Sequence, residues 1–308
     1  MTRVILKENR GRFLKPCPGT PNHVCCGYQI IDFARGCNLG CSYCILTSYF
    51  GRQNPTIFRN KEKLSEELSS FLEGEQDIVR LGTGEFTDSL LFDDESGLYP
   101  RLIPYISKRK NSVLEIKTKT TRIRTLLEIP EHENTIVSWS LNSSHIAEKE
   151  ERGAPPVAQR IEAAREIQQA GYRVAFHFDP IVVHEGWEDG YKKTVDLLFE
   201  KVDPARIVYI SMGTLRFPPA MKRFIPRLAA GEFVQGADRK LRYFRPLRTR
   251  VYIRIKEYLK RGVDEDILYL CMESPYVWED VFGISMTSEK LKERLDTACI
   301  KQFRRLRV

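Results

Sequence analysis

No apolar run in this 308-residue chain approaches the roughly 20 residues needed to cross a bilayer. The charged stretch 1–15 also lacks the apolar centre of a secretory leader. Neither export nor membrane insertion is expected; a cytoplasmic setting is. Low-complexity tracts are missing as well, and with 42% hydrophobic and 29% charged residues the composition is that of an ordinary globular protein. Eight cysteines are too sparse for a disulfide scaffold, and they cluster as ligands do, which fits a reducing compartment.

Cys37, Cys41 and Cys44 stand in C-x3-C-x2-C spacing directly after an apolar run. A zinc knuckle wants a fourth Cys or His close by, yet none occurs between residues 45 and 131, and upstream only the Cys25–Cys26 pair is a candidate. Three thiolates on one tight loop leave one iron of a [4Fe–4S] cubane without a protein ligand, open to a substrate or cofactor. With Tyr43 just before the last cysteine, the segment resembles the radical S-adenosylmethionine (SAM) enzymes. That resemblance implies an open iron that chelates SAM and an electron that cleaves it to a 5′-deoxyadenosyl radical. Zinc or unliganded thiols are the alternative.

From residue 29 onward, Val-, Ile- and Phe-rich runs at 29–33, 78–81, 113–116, 136–140, 173–178 and 207–211 read as buried parallel strands. Helical patterns at 61–73, 99–108, 123–127, 157–170 and 191–201 fall between them. The series predicts an α/β fold, a partial (β/α)6 TIM-type barrel (29–218). An N-terminal arm (1–28) would precede it and a basic α+β region (219–308) would follow. In such barrels chemistry gathers at the C-terminal strand ends. Polar residues do follow each strand from the second on: 82–88, 117–119, Ser140 and Asn142, Asp179, and 211–214. Gly84 would let backbone approach a ligand, Glu85 would accept from an ammonium group, and Lys119 would pair with a carboxylate.

Cys17, Cys25 and Cys26 in the arm read as packed thiols, because vicinal cysteines rarely both ligate one ion. A second metal centre completed by a residue such as Cys271 is the other reading. His177 and His184 read as core histidines, and Cys299 as a packed thiol in a helix at 289–306 that ends on a basic tip. Charge is uneven: 216–261 holds fourteen Lys and Arg against three acids, a net +11 in a chain of net +8. Interleaved Phe and Tyr suit stacking on bases beside a phosphate backbone. Within it, 239–250 reads as a strand or hairpin and 251–261 as a basic helix.

Several segments together resemble the spore photoproduct lyase family, radical SAM enzymes that repair a thymine dimer in DNA. They are the cysteine loop, Thr83-Gly-Glu-Phe-Thr-Asp-Ser89, Lys117-Thr-Lys119, Val137-Ser-Trp-Ser-Leu-Asn142, Phe176-His-Phe-Asp-Pro-Ile181 and His184-Glu-Gly-Trp187. The resemblance implies a cluster on Cys37, Cys41 and Cys44, SAM contacts at Lys119 and Ser140, and a DNA-contacting hairpin at 239–254. DNA is then favoured over RNA as partner, and an electron donor such as flavodoxin or ferredoxin is required. Two positions differ. Glu85 stands where the lyase carries its hydrogen-donating cysteine, and Ile45 replaces a tyrosine, although Tyr43 is kept. Cys271, ending a final predicted strand at 266–271, is an alternative hydrogen donor, and Tyr43 a second catalytic candidate. Competing functions are radical SAM chemistry on RNA, a peptide or a metabolite, and a non-catalytic metal-containing nucleic-acid-binding protein.

Overall fold

The computed structural model describes residues 3–20, 22–51, 53–225 and 229–306. Arg227 and Arg307 of the basic stretches, and the side chain of Phe224 among the aromatics, lie outside that description.

All six expected strands form, as Gln29–Ile31, Val79–Gly82, Ser112–Thr118, Thr135–Ser140, Arg173–Ile181 and Ile207–Thr214. They lie side by side in chain order, each parallel to the next. Every residue of the second, fourth and sixth strands is buried, as a sheet covered on both faces requires. A seventh parallel strand, Leu268–Leu270, adds beside the sixth, and Leu14–Pro16 adds antiparallel beside the first. These two edges do not pair with each other, so the barrel is open.

Helices Lys61–Glu73, Tyr99–Ser107, Val157–Gln169 and Trp187–Lys201 return the chain between strands. Leu64, Leu68 and Leu72 show the reason: their spacing of four puts them on one buried face. The expected helix at 191 begins earlier, at Trp187, because Gly186 takes a left-handed φ of 68° and turns the chain into it. The stretch 239–250 departs further from expectation. Its strand, Leu241–Tyr243, ends before an extended Phe244, and Pro246 sits in the first turn of a helix spanning Arg245–Leu259. Proline is pre-set for that position. Leu241–Tyr243 pairs with Arg216–Phe217 and Phe233–Gln235 in a small antiparallel sheet.

Candidate active site

The cysteine loop follows the first barrel strand and is clamped from both sides. Gly36 donates its N–H to Phe86 O (2.8 Å) and accepts from Thr87 Oγ1 (2.8 Å), both on the loop after the second strand. Opposite, Ser42 N–H donates to Glu150 O (2.9 Å) and Gly153 N–H to Leu39 O (2.7 Å). Only glycine fits at 153, since a Cβ there would stand 2.7 Å from the Leu39 carbonyl.

Held this way, Cys37, Cys41 and Cys44 border two cavities. One of about 270 Å³ opens at the C-terminal strand ends, and one of about 580 Å³ lies on the outer side towards Phe50, Pro55 and Arg152. The N–H groups of Leu39 and Asp88 are directed at Cys37, and those of Leu46 and Thr47 at Cys44. Burial still pushes the thiols up, Cys37 to about 12 with Asp88 adding to the effect. Amides aimed at sulfur inside an apolar wall suit thiolates that a metal deprotonates on binding.

The inner cavity also collects Gly84, Glu85, Lys119 and Ser140 from the ends of the second, third and fourth strands. Glu85 is ion-paired with Lys117. Burial alone would lower the Lys117 ammonium, but Glu85 and Glu115 reverse that and hold it above its usual range. Lys119 Nζ lies 3.7 Å from Glu151 Oε1. Asn142, expected at the same ligand, is not on the cavity wall. It is 1% exposed, its amide donates to Pro180 O (3.1 Å) and its Oδ1 accepts from Tyr191. Past Ser140 the chain turns towards helix Ser144–Glu150, and this carries Asn142 beneath Pro180.

Tyr43 is buried at the cavity wall with its hydroxyl on Glu151. Glu151 is itself fully buried and also pairs with Arg160. Burial would raise its carboxyl, but Lys119 and Arg160 outweigh that and keep it low. Tyr43 and the antiparallel bridge Cys41–Glu151 together tie the cysteine loop to this carboxylate. Cys271 sits just behind the wall formed by its neighbours Arg216 and Met272, with Arg216 Nη2 donating to its Sγ at 3.8 Å. His177 lies deeper, between Ser211 Oγ (2.6 Å) and Glu115 Oε1 (2.5 Å), and His184 bonds Ser143 Oγ (2.8 Å). Both belong to the interior.

Sequence reasoning missed Glu151, Arg216 and Lys240, and placed Asp88 at a strand end without a role of its own. Asp88 accepts from Lys119 N (2.6 Å), Thr118 Oγ1 (2.7 Å) and two further amides, which fastens the loop after the second strand to the third strand. Arg216 grips Asp179 through both nitrogens at 3.1 Å, and Lys240 reaches the cavity from the hairpin. Of the arginines expected on the hairpin, Arg239 is exposed. Arg242 is buried on Asp238 and Met272 O (2.9 Å), and Arg245 belongs to the following helix.

An open parallel half-barrel with a three-cysteine loop at its mouth places this protein among the folds that radical SAM enzymes use. It shares that fold with the Streptococcus suis protein SuiB, solved bound to S-adenosylmethionine (TM-score 0.54, 15% identity, 84% of this chain and 53% of SuiB). More particularly, the chain belongs to the spore photoproduct lyase family, whose profile matches residues 23–242. The spore photoproduct lyase of Bacillus subtilis is 31% identical over 178 residues, 57% of this chain and 51% of the relative. That of Clostridium acetobutylicum is 26% identical over 180 residues, covering 56% and 53%. The chain thus spans about half the length of these curated relatives. A cysteine-to-alanine mutant of spore photoproduct lyase, solved with dinucleoside spore photoproduct, superposes with a TM-score of 0.75 at 21% identity, over 87% of this chain and 81% of that one. Among the described residues no helix is long and apolar enough to cross a membrane.

Proposed function

We propose that this chain is a radical SAM enzyme that acts on a damaged or modified nucleobase in DNA. In this reading Cys37, Cys41 and Cys44 hold a [4Fe–4S] cluster with one iron left for SAM. The carrying observation is that the three thiols share one cavity with the strand-end groups Gly84, Glu85, Lys119 and Ser140. Three thiols on one short loop, with no Cys or His among residues 45–131 to close a tetrahedral site, fit three irons of a cubane better than a zinc knuckle. When bound, the cluster would supply the electron that splits SAM and releases the 5′-deoxyadenosyl radical.

The protein's own residues do positioning work. Lys119 offers an ammonium group for the SAM carboxylate while Glu151 holds it in place. Glu85, paired with Lys117, presents a carboxylate to an amino group across the same cavity. Tyr43 fixes the cysteine loop through Glu151, so its part is to position rather than to react. Lys240 brings positive charge to the rim, where a phosphate backbone would lie, and Arg216, clamped on Asp179, anchors that rim. Family membership and the dinucleoside photoproduct bound by the solved relative support a nucleic-acid substrate. Flavodoxin or ferredoxin fits as electron donor.

Anaerobically reconstituted protein with SAM and dithionite is expected to release 5′-deoxyadenosine, and Cys41→Ala is expected to abolish it. If the wild-type protein holds four irons and still yields none, the assignment fails. Ultraviolet-irradiated DNA should raise turnover of SAM above the uncoupled level, whereas irradiated RNA or peptide should not.

A further inference from the structure

A second group of thiols meets on the far side of the cavity wall. Cys17, Cys25 and Cys26 come from the N-terminal arm and Cys271 from the end of the seventh strand, and all four line one small chamber with a residual space of about 30 Å³. Two segments some 245 residues apart are sewn together to make it. Val24 N–H donates to Glu273 O (2.9 Å) in an antiparallel bridge, and Cys25 N–H donates to Ser288 Oγ (3.0 Å). Cys17 N–H is taken by Tyr28 O (2.9 Å). None of the four is in a disulfide.

Packed thiols would need nothing more, yet the surroundings match those of the first cysteine loop. Backbone N–H groups of Gly27 and Tyr28 are directed at Cys25 and Cys26. Cations border the group: Arg216 donates to Cys271 Sγ at 3.8 Å, Arg80 is bonded to the Cys26 carbonyl, and Lys117 acts on Cys17. Thiols lose their protons on binding iron, and the flanking guanidinium groups would offset the negative charge left on such a centre. In a polynuclear centre, the vicinal Cys25 and Cys26 can serve different irons.

We propose that Cys17, Cys25, Cys26 and Cys271 ligate a second iron–sulfur cluster. With all four positions taken by protein, such a cluster has no open iron, so its role is to carry electrons rather than to bind substrate. It would lie directly behind Arg216 and Met272, which also line the main cavity. The family profile covers neither Cys17 nor Cys271.

The test is iron and acid-labile sulfide counted on the full chain after anaerobic reconstitution, in two variants. Cys37→Ala/Cys41→Ala/Cys44→Ala should keep about two to four irons per chain and a brown chromophore. Cys17→Ala/Cys271→Ala should keep about four irons and lose only the remainder. A folded triple variant without iron, or with one zinc in its place, overturns the proposal. Should the triple variant not fold, an iron count in Cys17→Ala/Cys271→Ala equal to that of the parent overturns it equally. Neither count depends on SAM cleavage, so failure here is distinct from failure of the proposed activity.

Discussion

The helix behind the cavity and its exit carry seven cations against three on the hairpin beside it, and the two sets differ in what those cations do. Along helix Arg245–Leu259 and its exit, each charge has a carboxylate from another element. Arg245 meets Asp280 (2.8 Å), Arg248 meets Glu273 (3.1 Å) and Arg250 meets Glu188 (2.6 Å). Arg254 meets Glu188 (3.3 Å), Lys256 and Lys260 meet Glu265, and Arg261 meets Asp196 (2.6 Å). On the cavity side, Arg239 is exposed with no ion pair among the described residues, while Lys240 lines the cavity 3.9 Å from Asp238. Charge counted along a sequence is therefore not charge offered to a partner. The basic region narrows to the hairpin rim, and the helix behind it is a neutralised scaffold.

Arg216 anchors that rim, and its loss is the largest expected effect. Burial alone would raise the Asp179 carboxyl, but the Arg216 guanidinium outweighs it and holds the group below the usual range. Arg216→Ala strands this carboxylate, and a broken buried pair costs on the order of 3 kcal/mol. Urea unfolding should show the loss together with failure of DNA binding. A cost under about 1 kcal/mol would mean that the hairpin is merely appended to the barrel.

Glu115 offers an interior reference for that rim pair. Burial pushes its carboxyl up, yet His177 and Lys117 win and bring it from 4.5 to about 2. Between those values the unfolded chain binds the proton and the folded chain does not. The contribution is therefore whole above pH 4.5 and is lost as pH falls towards 2. In denaturant titrations, Glu115→Gln should flatten the stability profile in that window relative to wild type. Identical slopes would show that Glu115 is not held ionised.

Next in size are the hairpin cations that face the cavity side. Lys240→Ala and Arg239→Ala should each weaken binding to DNA irrespective of sequence and reduce the slope of log affinity against log salt by about 1. Unchanged slopes in both would move the phosphate track away from the hairpin.

Much of this was legible from the chain alone, for identifiable reasons. Strand order could be read because buried parallel strands are continuous apolar runs, and the cysteine loop because its ligands are three residues of one type within eight positions. Glu151 was not legible. It sits in a run of Glu, Lys and Arg that reads as a solvated helix end, and only the packing of Arg160 and Tyr43 onto it makes it a hub. Asn142 misled for the opposite reason, since a polar residue just past a strand looks the same whether it faces the cavity or the layer below. The Cys17–Cys271 gathering depends on a seventh strand docking at the sheet edge, which no local pattern encodes. The helix start at Arg245 was in plain view in Pro246, but the density of arginines suggested a longer hairpin.

The helix supplies the smallest effect and the sharpest check. Arg250→Ala and Arg254→Ala each remove an exposed partner of Glu188, whose side chain is 30% exposed. Exposed pairs are worth about 0–1 kcal/mol, so stability should shift little. Because these charges are already spent on Glu188 and Glu257, DNA affinity and its salt slope should also stay near wild type. Glu188→Gln should do the reverse: it frees Arg250, and leaves Arg254 on Glu257 alone, on a face that also carries the shallow Arg245–Asp280 groove, and non-specific binding should rise with a steeper slope. If instead the arginine variants lose as much affinity as Lys240→Ala, ion pairing within the protein does not withhold these side chains from phosphate, and the two faces form one continuous binding surface.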